Sequence, residues 1–180
     1  MEDATALVDE LLSQLVSLAT ERRREGMSRY FTTSMTCLGV SVPDLRKVAR
    51  QMFPRLRRHS ADSVLKCCHG LLATGFFEAR QLAYEVVSRH GATMDSVGVR
   101  EVEELGKGSD NWASTDAFAV LVTGELWLRR RLSDQTILKW ARSNDVWWRR
   151  IAVVSSVPLN LKNRGGKGDV ERTFKVVDIV

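Results

Sequence analysis

Little in this sequence equips it for the commoner catalytic chemistries. Its three cysteines, Cys37, Cys67 and Cys68, are odd in number and form no Cys-x-x-Cys pair. That pattern excludes a disulfide framework and a cysteine zinc site, and leaves buried thiols of a reducing compartment as the reading. The three histidines, His59, His69 and His90, show no metal-binding spacing, so no metal is expected. Ser–His and Cys–His nucleophile arrangements have no visible equipment either. Both glycine-rich nucleotide fingerprints are absent, and Gly165-Gly166-Lys167-Gly168 is too short for a phosphate loop and follows no strand pattern. No cofactor is therefore expected. No apolar run approaches the roughly 20 residues of a membrane span. The start, Met1-Glu2-Asp3-Ala4, is acidic where a secretory signal needs positive charge. The expectation is an intracellular protein, of the cytoplasm and nucleoid or of a nucleus, with no membrane partner.

What is present is a basic chain of ordinary apolar content. Its 180 residues are 44% hydrophobic and 27% charged, enough for one domain with a real core. Lysine and arginine number 27 against 22 acids, a net charge of +5, which points toward an anionic partner. The charge is clustered: Arg22-Arg23-Arg24, Arg46-Lys47 with Arg50, Arg55 with Arg57-Arg58, Arg129-Arg130-Arg131 and Arg149-Arg150. Many of these lie at expected helix ends, where the helix dipole also favours cations, so position alone leaves both explanations open.

The apolar spacing predicts helix after helix. Leu7, Leu11, Leu12, Leu15, Val16 and Leu18 give a helix over residues 6–19, closed by the Arg22–Arg24 run and ended by Gly26. A short segment over 27–33 follows. Pro43 opens a helix through Leu45, Val48, Ala49 and Met52, and Pro54 is expected to stop it. Ser60 is expected to cap a helix to Leu72, with Val64, Leu65, Cys68 and Leu71 inward. Further helices are predicted over 76–88, 97–105, 111–130, 134–141 and 145–157. Strand alternation is nowhere sustained, so the fold class is all-α.

Three of these helices begin near Phe76, Asn111 and Asp145, at intervals of 35 and 34 residues. Arg80 and Ala83 in the first match Arg149 and Ala152 in the third. A two-helix period of that length is the mark of a helical solenoid, with a plain bundle as the alternative. Residues 170–180 include Phe174, Val176, Val177, Ile179 and Val180, too apolar for a solvated tail. They are expected to pack as one helix on residues 151–157 and to leave an apolar flank that favours self-association.

Two constellations stand out. Trp112 and Asp116 are four apart on one helix face, either as a packing pair or as an indole and carboxylate flanking a cationic sugar. Trp147 and Arg150 are three apart, either at a helix interface or as an aromatic platform beside a guanidinium.

With these residues in view, the sequence resembles the DNA alkylation repair glycosylases built from HEAT-like helical repeats. Met27-Ser28-Arg29-Tyr30 followed by Leu38-Gly39-Val40-Ser41-Val42-Pro43-Asp44-Leu45-Arg46 is similar to the family's opening motif. Trp112-Ala113-Ser114-Thr115-Asp116 is similar to its active-site stretch, with Asn111 where relatives carry an aromatic. The run from Lys139 to Ala152 matches a third motif, whose arginine falls on Arg150. The resemblance covers about residues 10–160, in order. It implies a right-handed α-α superhelix with a concave basic face over residues 1–160. It also implies that 161–180 is a glycine-interrupted piece of a next repeat.

The resemblance further implies hydrolysis of the N-glycosidic bond of cationic N3- or N7-alkylated purines in double-stranded DNA. Asp116, Trp112 and Arg150 are the implied catalytic residues, and Tyr30, Arg46, Trp147 and Arg149 the implied DNA contacts. Asp116 would stabilise the oxocarbenium-like sugar and place water. Trp112 would face the sugar, and Arg150 would hold a phosphate. The alternative is a non-catalytic helical-repeat scaffold that binds DNA or protein.

Overall fold

Many of the helices begin where a short polar side chain satisfies a free amide group. In a computed structural model describing residues 4–30 and 32–180, and all but the Ser28 side chain within them, Ser41, Ser60, Asn111, Ser133, Asp145 and Asp169 act as N-caps. Glu2, Asp3 and Phe31, which bear on the acidic start and the expected 27–33 segment, lie outside the described residues. The helices are α1 (Ala4–Leu18), α2 (Glu21–Tyr30), α3 (Val42–Leu56), α4 (Ala61–Ala73), α5 (Phe77–Arg89), α6 (Gly91–Ser96) and α7 (Val99–Gly106). They continue as α8 (Trp112–Phe118), α9 (Gly124–Leu128), α10 (Asp134–Ala141), α11 (Val146–Val154), α12 (Val157–Asn160) and α13 (Val170–Val177). A π turn, Ala119–Thr123, joins α8 to α9 without a break. The chain is all-α, and the one β-type contact among the described residues is an isolated bridge between Thr36 and Phe76.

Helices α3, α5, α8 and α11 begin at 42, 77, 112 and 146, steps of 35, 35 and 34 residues. The two-helix period expected from three helices therefore extends to a fourth, as in an α-α solenoid. The contacts divide the chain into two compact units, 1–96 and 97–180. In the first, α5 is the central helix, buried from Phe77 to Val87 and packed on α3 and α4. Leu7, Leu11 and Leu15 of α1 close its core against α3 and α4. In the second, α8 and the π turn pack on α11, and α10 packs on α11 and α13.

Several boundaries differ from the sequence expectation. Arg22, Arg23 and Arg24 do not close the first helix; they belong to α2, which runs through Gly26. A helical glycine costs only about 1 kcal/mol against alanine, too little to stop a helix by itself. Pro54 lies inside α3, which continues to Leu56, because in a last turn the missing N–H forfeits a single bond. The 111–130 helix carries the π turn, and the 145–157 helix ends at Val154, with Pro158 starting α12. Helix α6 has no signal in the apolar pattern. The His90 side chain caps it, Nδ1 lying 3.2 Å from the Thr93 amide and 2.7 Å from its hydroxyl.

The C-terminal segment docks through a buried arginine. Arg172 Nε donates to Asp169 at 2.6 Å and Nη1 to the Trp127 carbonyl at 3.2 Å. Its guanidinium also lies 5.1 Å from the centre of the Trp127 ring. Val176 is buried beside it, while Val170, Phe174 and Val177 face outward.

Candidate active site

The two helices that carry the candidate residues are both fixed at their starts by side chains. Asn111, buried at the head of α8, accepts the Ser114 amide at 2.9 Å, and its carbonyl accepts the Thr115 hydroxyl at 2.7 Å. Asn111, where the resemblance implies an aromatic, therefore serves here as a cap. Trp112 follows in the first turn and stays 39% exposed. Asp116 lies one turn further on the same face. In α11, Asp145 accepts the Trp147 amide at 2.8 Å. Arg149 folds back on the connection, Nη1 donating to the carbonyls of Ser143 and Asn144 at 2.8 and 3.1 Å.

Arg150 and Asp116 meet across these helices. Arg150 Nε donates to Asp116 Oδ1 at 2.7 Å, and Nη2 donates to Oδ2 at 2.8 Å. This is the parallel two-bond geometry that a guanidinium makes with a carboxylate and an ammonium cannot. The side chains are 41% and 31% exposed, so solvent screens the pair. The hydrogen bonds to Asp116 raise the Arg150 pKa above its ordinary value.

The approach of the two helices is set by small residues and one hydroxyl pair. A Cβ at Gly124, just after the π turn, would sit 2.6 Å from the Ser155 carbonyl oxygen at the end of α11. Thr123 and Ser155 share a buried hydroxyl hydrogen bond of 2.6 Å. A Cβ at Gly106 would meet Phe118 at 2.7 Å and Trp148 at 2.9 Å. Trp148 itself stacks at a tilt on Trp140, ring centres 5.0 Å apart. Trp140 Nε1 donates to Glu103 at 2.9 Å, and that bond lowers the Glu103 pKa. Of the adjacent tryptophans, Trp148 joins a packing cluster, and Trp147 is half-buried near the start of α11.

The remaining candidates belong to the first unit. Tyr30 ends α2 and is 72% exposed. Arg46 donates to Glu85 at 2.8 Å, and Arg89 donates to the other oxygen of that buried carboxylate at 2.8 Å. The Leu38-Gly39-Val40 motif proves to be an anchor. Glu78, 1% exposed in α5, accepts the amides of Leu38, Gly39 and Val40 at 2.8, 2.7 and 3.0 Å. Gly39 has φ of +90°, and a Cβ there would collide with the Thr20 carbonyl and the Arg24 amide. Arg80, matched in the repeat to Arg149, also turns inward, donating to the Tyr84 hydroxyl at 2.9 Å.

Among the described residues, no group of three or more His, Cys, Asp or Glu side chains is arranged to hold a metal ion. No described helix is long and apolar enough to cross a membrane. A family model described as "DNA alkylation repair enzyme" matches residues 11–180. No curated protein matches the chain.

Proposed function

This chain belongs to the DNA alkylation repair enzyme family, and from that premise we propose that it hydrolyses the N-glycosidic bond of cationic N3- or N7-alkylated purines in duplex DNA. Its role is in DNA repair, with DNA as the partner. The observation that carries the glycosylase reading is the two-bond pair of Arg150 and Asp116, beside an exposed Trp112 one turn away.

A purine alkylated at N3 or N7 already carries positive charge, so it leaves without a strong general acid. As the bond between C1′ and the base nitrogen breaks, its electron pair neutralises the base, and the sugar becomes an oxocarbenium-like cation. Asp116 stabilises that cation by charge and orients a water toward C1′. The water forms the new C–O bond, and its proton leaves through the carboxylate to solvent. The indole of Trp112 offers its electron-rich face to the cationic sugar. Two of the five N–H donors of Arg150 hold Asp116, and the other three remain for a phosphate oxygen. Arg150 thereby aims the carboxylate and registers the backbone together. Tyr30 and Trp147 add backbone contacts in this reading; Arg46 and Arg149 act there only if they release Glu85 and the Ser143 and Asn144 carbonyls.

A second reading, a non-catalytic DNA-binding scaffold, is favoured by one observation. Both oxygens of Asp116 are engaged by Arg150, as they would be in a purely structural tie between α8 and α11. Release of free 7-methylguanine from methylated duplex, compared between wild type and Asp116→Asn, separates the two readings.

A further inference from the structure

Helix α3 and the two residues after it carry six cations, and the helix sorts them by face. Leu45, Val48, Ala49, Met52 and Leu56 form the buried stripe. On its flanks, Arg46 is paired with the buried Glu85, and Arg55 with Glu10. The four others, Lys47, Arg50, Arg57 and Arg58, are exposed. At about 100° per residue they fall within an arc of about 100°, opposite the buried stripe. Pro54 lies within that arc and Gln51 just beyond its edge, and the arc contains no acid. Asp44, the acid of α3, is turned to Arg23 and Ser41. None of the four cations has an ion pair among the described residues.

Two ordinary explanations fall short. The helix dipole favours Arg57 and Arg58 at the C-terminal end, but Lys47 lies in the first half and Arg50 at the middle, away from the last turn where it acts. A merely solvated face usually mixes charges of both signs. This protein does so elsewhere, with Lys66–Asp62, Arg129–Glu125 and Lys175–Glu171 each paired at i,i+4. On α3 the cations stand together without counter-charge, a repulsive arrangement that an external anion relieves.

The geometry points to the phosphate backbone of duplex DNA. From Lys47 to its end at Leu56 the helix rises about 14 Å, the span of about four phosphates along one strand, and Arg57 and Arg58 follow in the closing turn. We propose that Lys47, Arg50, Arg57 and Arg58 form a stripe by which the first unit holds undamaged and damaged duplex alike. This rests on the reading that the chain acts on duplex DNA, but not on Asp116. The stripe is centred about 70° round α3 from Arg46, with Arg57 and Arg50 nearest to it. Long arms around a helix, with one amide among them, suit phosphate contact without base reading.

The test is binding of the full chain to a short undamaged duplex over about 50 to 200 mM salt. Changing all four residues to Gln should make the slope of log K against log salt shallower by about 3 to 4, and each single change by about 0.9. Arg50→Lys with Arg57→Lys and Arg58→Lys should keep the wild-type slope, because charge alone is at work. All four side chains are exposed, so unfolding midpoints should match wild type, and the single variants decide the matter if the quadruple one does not fold. A quadruple-variant slope within one unit of wild type, or single changes that each leave the slope unmoved, would overturn the proposal. So would loss of binding to polyglutamate with duplex binding retained, which would assign the stripe to an acidic peptide. Base release is a separate readout: a chain that frees no 7-methylguanine yet shows these slope changes loses the glycosylase reading and keeps the stripe.

Discussion

Arg150 grips Asp116 along one edge of its guanidinium, Nε and Nη2 donating at 2.7 and 2.8 Å, and the two residues are 34 apart in sequence. That separation is one helical repeat, so equivalent positions of α8 and α11 face each other. The pair leaves the outer lone pairs of the carboxylate and three guanidinium N–H groups facing outward. One side chain thus has an aiming role toward Asp116 and a binding role toward phosphate.

Arg150→Lys separates those roles. Lysine keeps the charge but cannot make the parallel pair, so Asp116 loses one of its two fixed bonds. Base release should fall about 10-fold or more, while the salt slope of duplex binding stays within one unit of wild type. Arg150→Ala should lower release further and reduce the slope by about 0.9. Wild-type behaviour in both variants would make Arg150 an ordinary surface residue.

The Glu78 anchor predicts a stability effect far larger than its distance from any chemistry suggests. Glu78→Gln replaces a carboxylate that accepts three amides with a group bearing its own donors. It should cost about 3 kcal/mol in chemical denaturation, the loss for a buried charged acceptor. Gly39→Ala should cost about 2 kcal/mol or more, because φ is +90° and the Cβ would meet backbone atoms. Losses under about 0.5 kcal/mol in both would show that the loop is held by other means.

His90 gives the fold a pH dependence. Burial pushes its imidazole below the ordinary value; a nearby His59 adds to that, and a backbone hydrogen bond opposes it. Below about pH 6.5 the unfolded chain therefore binds a proton that the folded chain refuses. Stability from this group is full above that pH and is lost as pH falls toward the lowered folded value. Asn at the same place can still cap α6 and does not titrate. His90→Asn should flatten the decline of the unfolding midpoint between about pH 7 and 5.5, and an unchanged decline would assign it to other groups.

Much of this was legible in the sequence, and what was not has physical causes. The helical period and the cap Ser60 follow from local rules, which act within a few residues. The sequence motifs point to Asp116 and Arg150 as site residues with separate roles. That they bond to each other follows only once the repeat length is known from the helix starts. The role of Glu78 has no sequence signature, because its partners are backbone amides about 40 residues away. The π turn is hidden in Ala119–Thr123, a mostly apolar stretch that fits an α-helix equally well. Arg46 reads as a free cation from its cluster, while its partner Glu85 lies 39 residues on, in α5.

The central claim is that Asp116 stabilises a cationic sugar, and release of free 7-methylguanine from N-methylated duplex DNA under single turnover tests it. Wild type should release the base, and Asp116→Asn should be slower by at least ~10²-fold, about 2.7 kcal/mol of transition-state stabilisation. Binding of the variant to undamaged duplex should hold or tighten, because a negative charge near phosphates has gone. Equal release rates in the two proteins would contradict the account.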